Sequence, residues 1–191
     1  MRRVWLTLTL LVGAVSLTAL FLAGNEWVAR WLLVSGEGLG RGELWRLLTG
    51  PLIHASAGHA VRDLATLAVV GLLWEGRAAR FRAALLLGVV LAPLAATVAI
   101  PQLRLYFGLS GAVYAGLAAG LVGQWQRGPR PLVGLVLLAV VAKVVVECVT
   151  GQLLAPVGHP FGVAPIPVAH LVGLVCGALA LLRPPAAQIT P

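Results

Sequence analysis

Charged residues are scarce in this sequence. They make up 10% of its 191 residues, and only 6 of them are acidic. Soluble globular domains are about one quarter charged, and in this chain hydrophobic residues account for 60% of the total. The composition therefore excludes a soluble globular domain and indicates a protein whose solvent is the lipid bilayer.

Cysteine is nearly absent as well. Cys148 and Cys176 are the only 2 cysteines, and both lie in apolar stretches without a C-x-x-C spacing. A zinc site of the usual cysteine pattern is therefore excluded, and we expect neither a metal ion nor a cofactor. The net charge of +8 does not indicate a nucleic-acid partner, because the 14 basic residues are scattered between apolar runs and form no basic stripe.

Long apolar stretches are what the sequence has in abundance. Six of them approach the roughly 20 residues that a membrane-spanning helix needs. They cover residues 4–23, 59–74, 82–100, 110–125, 132–149 and 168–182. The first is too long for the apolar region of a signal peptide. The pattern predicts an all-α protein with six transmembrane helices in a single domain of residues 1–191, and a disordered tail after about residue 183.

The loops on the two sides of the membrane differ in arginine content. The opposite side carries Arg30, Arg41, Arg46 and Arg104, and the side of the N-terminus carries Arg2, Arg3, Arg77, Arg80, Arg82, Arg127, Arg130 and Arg183. This asymmetry predicts that both termini lie in the cytoplasm, as in a bacterial inner membrane. On the opposite side we expect short amphipathic helices in loop 25–50 and a mobile cap in the Gly- and Pro-rich loop 151–167.

Ionisable side chains inside the apolar stretches are candidates for function, because burying them in a membrane is costly. They are His59, Asp63, Lys143, Glu147 and His170. Lys143 and Glu147 are four residues apart and are interpreted as a mutually neutralising pair, although depth along the helices also allows Lys143 to neutralise Asp63. His54 and His159 are interpreted as loop or interfacial residues.

Ser110 belongs to the same group by depth. At 1.5 Å per helical residue, His59, Ser110 and His170 lie about 27, 26 and 20 Å above the arginines that end their helices. Small residues four apart allow the helices of Ser110 and His170 to pack closely; they are Gly111, Ala115, Ala119, Gly116 and Gly120 on one helix and Gly173 and Gly177 on the other. A neutral imidazole within about 3 Å of a serine can take its proton. These patterns favour a catalytic site and a structural hydrogen-bond network equally.

The start of the Ser110 helix offers a second catalytic element. Pro101 and Gly108 keep the preceding segment irregular, so Ser110 is expected at a helix start, where free backbone N–H groups face an approaching anion. Those donors can form an oxyanion hole, to which His59 can add a side-chain donor.

The motifs resemble those of a known family. Trp45-Arg46, His54 and His59, G-L-S-G around Ser110 and A-H-L-V-G around His170 are similar to the motifs of rhomboid intramembrane serine proteases of the six-helix bacterial type. The resemblance implies a rhomboid-like bundle with a long first external loop and an active site that opens to the periplasm. It also implies roles for individual residues: Ser110 as nucleophile, His170 as base, His59 with the Leu109 and Ser110 amides as oxyanion hole, Tyr114 packed beside the base, and Gly108, Gly111 and Gly173 as supporting positions.

Within that family the chain is most similar to the rhombosortases. The opening G-E-L-W-R-L-L-T-G from Gly42 and the Lys143/Glu147 pair carry this likeness. It implies membrane-anchored protein substrates that end in Gly-Gly, a membrane helix and a basic tail. One position departs from the family pattern: Asp63 replaces an amide beside the oxyanion hole, and a carboxylate repels an oxyanion unless it is protonated or paired.

Two other functions are compatible with the residues. The departure at Asp63 is compatible with a catalytically inactive rhomboid-like protein that binds membrane segments without cutting them. The five ionisable residues inside the apolar stretches are compatible with a proton-coupled transporter, although the small size of the chain and the absence of an internal repeat disfavour it.

Overall fold

The structure of this chain is a computed structural model that describes residues 4–75, 79–128, 130–154 and 166–180. The described residues are nearly all helical. The long helices are α1 (Trp5–Leu22), α5 (Ala57–Trp74), α6 (Ala79–Ala99), α7 (Ser110–Trp125), α8 (Pro131–Thr150) and α9 (Pro167–Leu179). Between α1 and α5 lie the short helices α2 (Glu26–Leu32), α3 (Gly36–Gly40) and α4 (Arg46–Thr49), followed by a 3-10 turn at Gly50–Leu52.

The six long helices coincide with the six predicted apolar stretches to within a few residues. Among the described residues, 3 helices are long and apolar enough to cross a membrane, namely Trp5–Leu22, Arg80–Ala99 and Pro131–Thr150, and Pro167–Leu179 is a shorter apolar helix. The prediction of a helical membrane protein is therefore confirmed. The predicted cap, with His159, falls largely outside the described residues, as do the C-terminal tail, Arg2, Arg3, Arg77 and Arg183.

Helix α7 is the centre of the bundle and packs against α9, α6 and α5. Its approach to α9 depends on the absence of side chains. A Cβ atom added at Gly173 would lie 2.3 Å from the Gly111 carbonyl oxygen, and one added at Gly177 would lie 2.3 Å from that of Ala115. The two backbones are therefore in direct contact at the small residues from which close packing was predicted.

The segment between α1 and α5 is ordered around a buried arginine. Arg46 is only 3% exposed. Its guanidinium donates hydrogen bonds to Glu43 at 2.5 Å and to the carbonyl oxygens of Leu33 at 2.6 Å and Arg30 at 2.7 Å. Arg46 thus lies between the first two long helices, as the sequence places it, but it is buried there and paired with Glu43.

Candidate active site

Ser110 is the first residue of α7, and the backbone before it is held at two points. The Tyr106 N–H donates to the Val34 carbonyl at 3.0 Å, and the Gly108 N–H donates to the Ile53 carbonyl at 2.8 Å. Gly108 has a φ of +91°, which side chains rarely tolerate. A Cβ atom there would also lie 2.6 Å from the His59 ring. The glycine at position 108 therefore allows the backbone just before Ser110 to pack against the His59 ring.

The N-terminus of α7 leaves backbone donors near Ser110. Leu109 is the N-cap residue, and no side chain caps the helix. By contrast, Ser56 accepts a hydrogen bond from the His59 N–H at the start of α5. The first N–H groups of a helix have no partner within it, so those beside Ser110 are available to a developing negative charge.

His170 comes from α9 and lies against α7. The residue is 7% exposed, and its ring stacks on Tyr114, one turn after Ser110, with centroids 4.4 Å apart and planes at 26°. Ser110 and His170 both line a cavity of about 240 Å³. The other polar residues that line it are Arg62, Asp63, Thr66, Tyr114, Lys143 and Glu147.

Glu147 on α8 binds His170, which the sequence interpretation did not foresee. Its Oε2 atom lies 2.8 Å from His170 Nδ1, and its Oε1 atom accepts from Lys143 Nζ at 2.5 Å. The predicted Lys143–Glu147 pair is therefore present, but Glu147 also contacts His170 through its second oxygen. A signal for this was available: at 1.5 Å per residue, Glu147 lies about 25 Å above Arg130, level with Ser110.

Asp63 lies between two histidines. Its Oδ2 atom is 3.5 Å from His54 Nε2 and 3.4 Å from His59 Nε2, and the two imidazole rings meet edge to face with centroids 5.0 Å apart. His54 does lie in the loop before α5, as interpreted, but it is fully buried and its Nδ1 atom is 3.1 Å from Thr18 Oγ1. The structure therefore adds His54 to the site.

The same three residues are the ones best suited to hold a metal ion among those the structure describes. His54, His59 and Asp63 each offer one ligand atom, and these atoms lie within 4.8 Å of one another. Two imidazoles and a carboxylate suit a transition metal such as zinc. The absence of a metal ion from the working protein stays a prediction.

A cavity among apolar helices, lined both by a serine at a helix start and by a buried histidine, defines a helical membrane protein with polar residues gathered at an internal site. The Rhomboid domain family model matches residues 41–183, which is more than half of the chain and includes Ser110, His170 and the Asp63 cluster. The chain therefore belongs to the rhomboid family, most of whose members are intramembrane serine proteases. A comparison with curated protein sequences finds no match.

Proposed function

We propose that this protein is an intramembrane serine endopeptidase in which Ser110 is the nucleophile and His170 the general base. One observation carries the proposal: the two residues come from different helices and line one cavity among apolar helices. The uncapped N-terminus of α7 beside Ser110 and membership of a family consisting mostly of such proteases support it.

The proposed reaction proceeds through an acyl-enzyme. Ser110 Oγ attacks the carbonyl carbon of the scissile peptide bond while its proton passes to His170. The tetrahedral intermediate collapses, and His170 returns the proton to the departing amine. Water, activated by the same imidazole, then releases the acyl group from Ser110.

The proposed oxyanion hole consists of the backbone N–H groups of Leu109 and Ser110 with His59. Backbone donors at the start of α7 face the anion without reorganisation, which is how preorganised dipoles stabilise a transition state. His59 lies against Gly108, two residues before the nucleophile. In the proposed site the Asp63 carboxylate is a partner of His54 and His59, each of which has a ring nitrogen within 3.5 Å of its Oδ2 atom.

The proposed placement in the membrane is a single domain with six spans, both termini in the cytoplasm of a bacterial inner membrane, and a cavity that opens to the periplasm. The six long helices support the count. The arginine asymmetry supports the orientation, because Arg80, Arg82, Arg127 and Arg130 all lie at the ends of helices remote from Ser110. The lipid bilayer is then the solvent for the outer faces of the bundle.

The proposed substrates are membrane-anchored proteins with the rhombosortase signal, which consists of Gly-Gly, a membrane helix and a basic tail. The opening motif from Gly42 and the Lys143/Glu147 pair support this. A fusion protein ending in this signal should be cut when it is expressed with the natural chain. The same fusion with Gly-Gly replaced by Val-Val is the matched control, and equal cutting of both would exclude this signal as the specificity determinant.

A fluorophosphonate probe tests the serine chemistry directly. Ser110 Oγ displaces fluoride from phosphorus, so the purified natural chain should be labelled covalently. Ser110→Ala and His170→Ala should lose the label by about 10²-fold or more. Ser16→Ala, an exposed serine on α1, is the matched control and should be labelled as the natural chain is. Labelling of Ser110→Ala at the natural rate would refute the proposed nucleophile.

A further inference from the structure

Glu147 is the most deeply buried carboxylate beside the proposed dyad. Its side chain is 0% exposed, yet both of its oxygens have partners. Oε2 faces His170 Nδ1 at 2.8 Å, while Oε1 accepts from Lys143 Nζ at 2.5 Å and from the Leu154 N–H at 3.0 Å. A buried carboxylate so fully engaged is held in one position.

These contacts determine which nitrogen of His170 carries the proton. An ionised carboxylate only accepts hydrogen bonds, so Nδ1 must be the donor to Glu147. The neutral ring then has its lone pair on Nε2, which is the form that can take a proton from a serine. Stacking on Tyr114 restrains the ring plane, so both the tautomer and the orientation are set by neighbouring residues.

Lys143 is what keeps Glu147 ionised. A buried carboxylate is costly unless a cation compensates its charge, and Lys143 Nζ does so. The same ammonium donates to the Tyr114 hydroxyl at 2.7 Å, which joins α8 to the residue that stacks on His170. The Lys143–Glu147 pair is thus part of a chain of contacts that ends at the imidazole.

We propose that Glu147 is a positioning residue for His170, an inference that rests on the proposed function. It holds the Nδ1–H tautomer and stabilises the imidazolium that forms when Ser110 Oγ bonds to the carbonyl carbon and its proton moves to Nε2. The carboxylate takes no proton itself, and the proton leaves His170 with the departing amine. The site is then a Ser110–His170–Glu147 triad.

The Glu147→Gln variant tests this inference, because the neighbouring donors allow only one orientation of the glutamine amide. The donors Lys143 and Leu154 N–H both point at the Oε1 position, so the glutamine oxygen lies there and its NH₂ group faces His170. Nδ1 must then accept, which moves the proton to Nε2 and removes the base. We expect fluorophosphonate labelling to slow by about 10²-fold or more.

Two further variants separate positioning from folding and from charge. Lys143→Met combined with Glu147→Gln removes the pair without leaving a lone charge, and it should fold while labelling remains slow because Leu154 N–H still orients the glutamine. Glu147→Asp keeps a carboxylate and should recover labelling to within about 10-fold of the natural chain. Recovery in the double variant would show that charge imbalance caused the loss, and it would overturn the inference.

The matched control is a second buried carboxylate whose two oxygens both have partners, and which does not line the cavity. Glu75 is 1% exposed and accepts from the backbone N–H groups of Leu6 and Thr7, both at 2.8 Å, at the start of α1. Glu75→Gln should lower thermal stability and leave the labelling rate unchanged. If Glu147→Gln is labelled as fast as the natural chain, this inference fails and the proposed function stands. If the natural chain itself is not labelled, both fail.

Discussion

The effect of the charge of Asp63 depends on the residues that surround it. As a replacement for an amide near an oxyanion it is unfavourable, because like charges repel. In the structure its Oδ2 atom has an imidazole nitrogen of His54 at 3.5 Å and one of His59 at 3.4 Å. The carboxylate is therefore an ionic partner for two histidines, and in the proposed site this pairing holds it away from the oxyanion.

The Asp63→Asn variant tests whether the carboxylate opposes the oxyanion or supports the two histidines. Removing the charge takes away the contact of Asp63 Oδ2 with two buried imidazole nitrogens, at 3.5 Å and 3.4 Å. We expect labelling by the fluorophosphonate probe to fall by about 10-fold, with a modest loss of thermal stability. Thr66→Val, a conservative change at another cavity residue on α5, is the control. If Asp63→Asn instead creates activity that the natural chain lacks, the chain is a non-cleaving binder of membrane segments.

Helices α7 and α9 approach closely because α9 has glycines at the contact, Gly173 and Gly177, which face carbonyl oxygens of α7. The Gly111 carbonyl oxygen occupies the space that a Cβ of residue 173 would need. Backbone atoms cannot rotate away as a side chain can, so the only response to added volume is to move α9 away from α7. Such a shift acts directly on the site, because Ser110 and His170 are carried by these two helices.

Gly173→Ala should therefore reduce activity and stability together. Overpacking a close contact costs about 1–3 kcal/mol, and we expect a lower unfolding temperature and slower probe labelling. Gly58→Ala is the matched control, since Gly58 lies in α5 with nothing within 4 Å of an added Cβ, and alanine there is helix-stabilising by up to about 1 kcal/mol. Equal behaviour of the two variants would contradict the direct backbone contact.

The segment between α1 and α5 contains a cluster of charged side chains that are held together by ion pairs. Glu43 lies between Arg41, whose Nε atom is 3.0 Å away, and Arg46 at 2.5 Å. The hydrogen bond from Arg41, then that from Arg46, lowers the pKa of Glu43 below its ordinary value, although burial opposes them. The hydrogen bond to Glu43, together with the contact to Glu37, raises the pKa of Arg41 although burial opposes them, so Arg41 and Glu43 both stay ionised at neutral pH.

Lowering the pH should reduce the stability that this cluster contributes, because the pKa of Glu43 is lowered in the folded protein. The ionised Glu43 stabilises the fold above the pKa of an unfolded glutamate, and this contribution disappears as pH falls through the lower folded pKa. We expect the unfolding temperature of the natural chain to drop as the pH falls below about 4.5, and Glu43→Gln to show a smaller drop. Glu26→Gln, at an exposed position in α2, should retain the natural acid sensitivity; loss of that sensitivity there would contradict the assignment to Glu43.

At the scale of the whole molecule, the arrangement of charges in the membrane is the main open prediction. Residues at opposite ends of the long helices should be accessible from opposite sides. Glu37, in α3, has a side chain that is 83% exposed, and Arg127 follows the end of α7. The proposed orientation assigns the first to the periplasm and the second to the cytoplasm.

Single cysteines test this orientation in intact cells. In a background with Cys148→Ser and Cys176→Ala, a membrane-impermeant maleimide should label Glu37→Cys from outside and leave Arg127→Cys unlabelled until the membrane is permeabilised. A cysteine-free chain controls for background. The reverse pattern would invert the proposed orientation and place the cavity on the cytoplasmic side.

The positions of the long helices can be predicted from the sequence, because their causes are local. Apolar runs of spanning length and the turn residues between them define where each helix begins and ends, and all six long helices were predicted to within a few residues. Ser110, His170 and His59 were likewise predicted as site residues from short motifs and from depth along their helices, since depth depends only on the number of residues from an end.

Which side chains contact one another could not be predicted from the sequence, because it depends on how the helices pack. The contacts of Glu147 with His170 and of Asp63 with His54, and the burial of Arg46, depend on how each helix or loop is rotated towards its neighbours. One residue along a helix turns a side chain by about 100°, so the correct depth does not imply the correct direction. Direction is set by packing between distant segments, such as the glycine contacts of α7 with α9, and local sequence carries little information about it.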